Sequence, residues 1–183
     1  SSRRVRMGDS TWTVGVLVQT NFGGSGDLLL MGVPVGRLLG RDGLTGAEAP
    51  KGPTGSVMIV VATDAPLSDR NLERLAARAT IGLGRTGAMA GNGSGDYVLS
   101  FSTNAAVRRA GSAPLRASAE LGNDAMNPLF AGVIEATEEA IDNALFAATT
   151  VTGNGHTVEA LPVGEMLRLL RERNALAVPP RSP

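Results

Sequence analysis

The segment Ser56-Val-Met-Ile-Val-Val-Ala-Thr63-Asp-Ala-Pro-Leu67 opens with an uncharged run rich in β-branched side chains. Such a run, with no polar alternation, is the mark of a central strand buried on both faces. Pro66 then removes a backbone donor and biases Ala65 away from helix, so the strand stops at Asp64. Ser68 or Asp69 caps a helix. Its buried stripe is Leu72, Leu75, Ala76 and Ala79, with Arg70, Glu73, Arg74 and Arg78 turned to water. A buried strand running into an amphipathic helix predicts a sheet covered by helices.

Working outward, Thr11 to Gln19 (TWTVGVLVQ) is a second strand, with Trp12, Val14, Val16 and Val18 on one face and Leu17 with small residues on the other. Gly8-Asp9-Ser10 is a turn signal, so Ser1–Met7 and Thr11–Gln19 read as a hairpin, with Ser1 opposite roughly Leu17 to Gln19. Leu28 to Met31 reads as a short strand, and Arg41 to Gly55 as a surface loop without periodicity. Thr86 to Gly95 is a Gly-rich loop, Tyr97 to Ser102 a strand, and Arg108 to Leu121 a second irregular connection. Asp124 to Thr149 holds the longest helix, with Pro128 in its first turn. Leu129, Phe130, Val133, Ile134, Ile141, Leu145 and Ala148 recur at helical spacing, and Thr137 is the hydroxyl on that stripe. A third helix runs from Val163 to Arg173 with Met166, Leu169 and Leu170 inward. The organisation expected is one domain over 1–175 and a Pro-rich tail over 176–183. Some strand faces are too apolar for this chain alone, which implies a partner chain.

Composition narrows the chemistry. The 183 residues carry 17 Lys+Arg against 17 Asp+Glu, with 43% hydrophobic residues. That is a globular composition without the field that nucleic acid or an anionic membrane would need. No apolar run approaches the ~20 residues of a membrane span. With no cysteine, disulfides, thiolate nucleophiles and cysteine-bound zinc are excluded. The lack of cysteine fits cytoplasm or periplasm, and cytoplasm is the expectation. A single histidine, His156, sits in the turn Thr152-Gly-Asn-Gly-His156. A serine–histidine–acid triad would have to use it, and a solvated turn residue is the plainer reading.

Four features could carry chemistry. Gly91-Asn-Gly-Ser-Gly-Asp96 has no Lys-Ser/Thr ending and leads into a strand rather than a helix, so it is not a phosphate loop. It is either a tight connection or a backbone-lined contact. Glu135, Glu138, Glu139 and Asp142 line one side of the long helix, and a solvated helix face is the plainer account of them. Asp64, directly after a strand, either points into a site or caps the following turn. Ser1 is the sharpest feature. The chain begins at serine rather than methionine, which reads as a processed or truncated terminus. A serine with a free α-amine holds a nucleophile and a base titrating near neutral pH in one residue. A proteolytic nick would leave the same terminus.

A set of segments, in order along nearly the whole chain, narrows the choice. They are Ser1-Ser-Arg3, Thr13-Val-Gly-Val-Leu-Val-Gln19 with Asn21-Phe-Gly23, Gly32-Val-Pro-Val-Gly36, Val60-Val-Ala-Thr-Asp-Ala-Pro-Leu67, Gly84-Arg-Thr-Gly87, Gly91-Asn-Gly-Ser-Gly-Asp96, Phe101-Ser-Thr103, Asn127-Pro-Leu-Phe130 and Ala136-Thr-Glu-Glu-Ala140. Together they resemble the DmpA-type L-aminopeptidase/D-Ala-esterase family, which includes the β-peptidyl aminopeptidases. The resemblance implies a layered α/β fold, a four-layer α/β/β/α sandwich of the N-terminal-nucleophile type, completed by a separate α-chain from the same precursor. It implies self-cleavage before Ser1, with Ser1 as nucleophile and α-amine base, and a small peptide, amide or ester as substrate. It calls for neither cofactor nor metal, which fits the absent cysteine and the single histidine. Nucleic acid and membrane are not expected partners, and a higher homo-oligomer of αβ units is. Beside Ser1, Gln19 and Asn21 are candidates for orienting the amine or binding substrate, and Thr63 with Asp64 for supporting the nucleophile. The ornithine acetyltransferases resemble this architecture but use threonine. A subunit that only binds has no need of a cleavage serine.

Overall fold

The computed structural model describes residues 1–40, 55–108 and 117–176. The expected loop over Arg41–Gly55, most of the connection after Arg108 and the Pro-rich tail thus lie wholly or largely outside the described residues. One sheet dominates, in the order β1 (Ser2–Met7), β2 (Ser10–Asn21), β3 (Ser56–Thr63) and β4 (Gly95–Ser102). β1, β2 and β3 are antiparallel neighbours, and β3 pairs in parallel with β4. Antiparallel neighbours can be joined tightly: Met7 pairs with Ser10, leaving Gly8 and Asp9 as a two-residue turn, with Gly8 at φ 58°. The parallel pair needs a crossover, which α2 (Asp69–Arg85) supplies.

Two long helices cover one face of the sheet. α2 packs on β4 and β3, α3 (Met126–Ala147) on β1 and β2, and the two helices on each other. Val14, Val16, Val57, Ile59 and Val61 point into this layer and meet Leu75, Ala79, Leu83, Leu129, Val133 and Ile141. Each such side chain, fully buried, contributes about 1.5–3 kcal/mol. The helices approach closely at Gly82, where an added Cβ would stand 2.5 Å from the Ile134 carbonyl oxygen and 2.7 Å from the Thr137 Cβ. Thr137 is itself fully buried and satisfied, its Oγ1 donating to the Val133 carbonyl at 2.7 Å. Ser68 stands at the α2 N-cap without a side-chain bond; the local bond is from the Arg70 N–H to the Asp69 carboxylate. Arg74 and Arg78, read from sequence as solvated, instead lie over the Phe130 ring, 5.2 and 4.3 Å from its centroid.

The other face of the sheet is open. Leu17, Tyr97 and Leu99 are 71%, 64% and 61% exposed, with Met58 and Phe101 beside them. The β3 run expected to be buried on both faces is therefore covered on one. A second, smaller core joins Leu30, Val33 and Val35 to Met166 and Leu170 of α4 (Val163–Glu172), around the short α1 (Val35–Leu38). Leu28–Met31 is not a strand: one isolated bridge joins Leu30 to Val33 across a turn in which Met31 and Gly32 have positive φ. The turn containing His156 is the tip of a hairpin, β5 (Val151–Gly153) with β6 (His156–Val158).

Candidate active site

β1 is an edge strand, and its pairing fixes where Ser1 stands. Ser2 pairs with Gly15, so Ser1 continues the ladder opposite Val16. Its amine donates to the Val16 carbonyl at 2.8 Å, and the Val16 N–H donates to the Ser1 carbonyl at 2.8 Å. The hairpin is as expected, but the register is shorter than the Leu17–Gln19 pairing read from sequence, because the turn holds two residues rather than three. A one-residue slip changes the face of the sheet. Opposite Val16, Ser1 shares the helix-covered face. Gln19 shares the open face with Leu17 and does not approach the amine.

The Ser1 hydroxyl meets α3 instead. Asn143 Nδ2 donates to Ser1 Oγ at 3.1 Å. One turn back, the Glu139 carboxylate pairs with the Arg3 guanidinium, which also donates from Nε to Glu135 at 3.0 Å. Arg3 chiefly, with the Ser1 hydroxyl and amine as smaller influences, holds the Glu139 carboxyl below its usual range against the opposing effect of burial. Glu139 first, then Glu135, holds the Arg3 guanidinium above its usual value. Asp142, adjacent, is pushed up to about 6, by burial first and then by Glu138 and Glu139. Its buried Oδ1 has no hydrogen-bond partner among the described residues. The acidic side of the helix is thus partly ion-paired, Glu138 also bonding Arg85 at 3.0 Å.

The other sequence candidates lie elsewhere. Thr63 Oγ1 donates to the Thr13 carbonyl at 2.7 Å and accepts from the Ala65 N–H, while the Asp64 carboxylate accepts from the Thr13 N–H at 2.6 Å. Both side chains tie the end of β3 to β2, across β2 from β1, and the structure does not bring them to Ser1. Asn21 lines a cavity of about 440 Å³ at the far end of β2, enclosed by Leu28, Thr86, Ile141, Leu145 and Leu161 among others. Sequence reasoning did not single out Asn143, whose partner is 142 positions away. Among the described residues no group of three or more His, Asp or Glu side chains is placed to hold a metal ion. No helix among them is long and apolar enough to cross a membrane.

Residues 1–158 match the model of peptidase family S58. The chain belongs to that family. It is 41% identical over 183 residues to the β-peptidyl aminopeptidase BapA of Sphingosinicella xenopeptidilytica, and 42% identical over 189 residues to that of Sphingosinicella microcystinivorans. These alignments take in 94% and 97% of the chain but 46% and 48% of the relatives, so the chain spans about half their length. Among solved structures it is similar to the PH0078 protein of Pyrococcus horikoshii OT3, at TM-score 0.83 and 40% identity, covering 96% of this chain and 47% of that one. It is also similar to the L-aminopeptidase D-Ala-esterase/amidase of Ochrobactrum anthropi, described as a prototype for the serine aminopeptidases and a new variant among the Ntn hydrolase fold. There the TM-score is 0.84 and the identity 35%, over 97% of this chain and 48% of the other. The fold of this S58 chain is accordingly layered α/β of the Ntn hydrolase kind.

Proposed function

We propose that this chain is the nucleophile-bearing half of a self-processing aminopeptidase or amidase acting on small peptides, amides or esters. The observation that carries the reading is the placement of Ser1: in a family S58 fold, its amine and hydroxyl are each held by a named partner, Val16 and Asn143. The family and the aminopeptidase names of its relatives support the class of reaction.

In the precursor, Ser1 Oγ attacks the carbonyl preceding Ser1, the acyl group shifts from nitrogen to oxygen and so frees the amine, and water then hydrolyses the ester, releasing the Ser1 hydroxyl and the carboxylate of the preceding segment. In the mature enzyme, one amine hydrogen stays on the Val16 carbonyl, and the amine lone pair takes the Ser1 hydroxyl proton as Oγ attacks the substrate carbonyl. That proton passes to the departing amine or alcohol, and water then cleaves the acyl-enzyme. The oxyanion requires fixed donors, which this reading assigns to the other half of the precursor. That half also covers the open sheet face around Leu17, Tyr97 and Leu99, and pairs of halves assemble further. The β-peptidyl names of the relatives extend the substrate range to β-amino acyl groups.

The test is intact mass of the protein made from its full precursor, wild type beside Ser1→Ala, followed by release of p-nitroaniline from amino-acid anilides. Wild type is expected to split with one product beginning at Ser1, and Ser1→Ala to stay whole and inactive. Equal splitting in the alanine variant would sink the proposal. Partition of product between water and an added amine separates hydrolysis from acyl transfer.

A further inference from the structure

α3 lies along β1 in a definite register. At Gly132 an added Cβ would sit 3.3 Å from Val5 Cγ2 and 3.5 Å from Arg3 Cβ, so the helix backbone lies close against the strand there. From that contact the two elements run on together: Arg3 against Glu135 and Glu139, then Ser1 against Asn143. The spacings agree. Val5 to Ser1 along a strand is about 13 Å, and Gly132 to Asn143 along a helix is about 16 Å. Gly132, Glu135, Glu139 and Asn143 recur every three or four residues, so they form one stripe facing the strand edge.

Resting on the reading of Ser1 as nucleophile, we infer that Asn143 and the Arg3-clamped Glu139 are positioning residues for it. A serine hydroxyl at a strand end has three staggered rotamers of comparable access. The Asn143 Nδ2 donor selects one and occupies one lone pair of Oγ, leaving the other for attack and the hydroxyl proton free to leave. Glu139 holds a negative charge beside the amine and is itself fixed by Arg3. Of the acidic side chains on α3, Glu139 interacts with both Arg3 and the Ser1 amine, while Glu135 pairs with Arg3 and Glu138 with Arg85 of α2. On that side β2 presents the uncharged side chains of Trp12, Val14, Val16 and Val18. Asn143 is exposed in this chain, so its replacement leaves the core untouched.

The experiment uses enzyme matured from the full precursor: wild type, Asn143→Ala, Asn143→Gln and Glu139→Gln. Two rates are measured against pH: sulfonylation of Ser1 by phenylmethylsulfonyl fluoride, followed by mass, and turnover of an alanine anilide. Asn143→Ala is expected to slow both by about 10–100-fold with KM within about twofold, and Asn143→Gln, which keeps the amide, to recover part of the loss. Glu139→Gln, which removes the carboxylate that pairs with Arg3 beside Ser1, is expected to slow both by about 10-fold, again with KM within about twofold. Rates within about twofold of wild type in Asn143→Ala and Glu139→Gln overturn the inference while leaving the nucleophile in place. A loss of rate matched by a fall in unfolding midpoint also overturns it, since the residues would then only hold the fold. A wild type that neither turns over nor labels at Ser1 overturns the underlying reading instead.

Discussion

Asp142 shows how one side chain can work against the fold that holds it. Its carboxyl is raised to about 6 because burial and the neighbouring Glu138 and Glu139 disfavour the charged form. Below the unfolded carboxyl value both states are protonated and the group contributes nothing. As pH climbs from there through about 6 the unfolded chain ionises first, so stability falls across that window and stays reduced above it. Asp142→Asn removes the penalty. Urea unfolding is expected to show a gain of about 1 kcal/mol at pH about 8 and none at pH about 3, the figure being discounted because the group is only half-buried and screened by water. A gain of equal size at both pH values would refute the assignment. Gly82 makes the opposite case. Gly82→Ala places a methyl against the Ile134 carbonyl and Thr137, and is expected to cost about 1–3 kcal/mol in urea unfolding despite the better helix propensity of alanine. Thr137→Val, which loses only a bond to its own helix, should stay within about 1 kcal/mol of wild type.

Among the elements, the strands and long helices were legible because each is specified locally. The uncharged Ser56–Thr63 run, the Pro66 stop and the α2 and α3 stripes carry their own periodicity and appear where the sequence puts them, except that α3 ends at Ala147 and leaves Ala148 extended and exposed. What was not legible depends on partners far along the chain or on turn geometry. Leu28–Met31 is apolar enough for a strand but has no neighbour to pair with, and Met31 and Gly32 turn it back on itself. The β5–β6 hairpin could have been found: Asn154-Gly155, both at positive φ, is the strongest short-range hairpin signal. The register at Ser1 turned on whether Gly8-Asp9 or Gly8-Asp9-Ser10 makes the turn, and that single residue separates the helix-facing Ser1 from Gln19. Asn143 carries no local signal, and only the packing of α3 on β1 gives it a role. That packing makes a prediction of its own. Gly132→Val thrusts a branched side chain at Val5 and Arg3, and should lower the thermal midpoint and the activity together. A variant stable but inactive, or active but unstable, would mean that the seam does not couple the two.

On the scale of the whole molecule, the sheet has one finished face and one unfinished one. Leu17, Met58, Tyr97, Leu99 and Phe101 form a contiguous apolar surface of a kind that soluble monomers rarely leave bare. The chain produced alone is therefore expected to bind a hydrophobic dye and self-associate, and co-production with the other half proposed above to suppress both. Leu17→Arg with Leu99→Arg should abolish recovery of the two halves as one species in size-exclusion chromatography while β1, β2 and α3 keep their arrangement. Unchanged co-elution would mean that another surface joins them.

The rung between Ser1 and Val16 has a consequence for the order of events. The bond from the Ser1 nitrogen to the Val16 carbonyl asks only for one hydrogen on that nitrogen. An uncut peptide bond supplies one as readily as a free terminus, so the ladder is complete before any scission and unaltered by it. Under the proposed function, the hairpin is a jig that is assembled once and used twice, first on its own chain and afterwards on other molecules. A precursor unfolded before it has matured and then returned to native conditions should resume maturation with no helper protein. Refolding that regains the sheet by circular dichroism without maturing would show that the jig lacks a part.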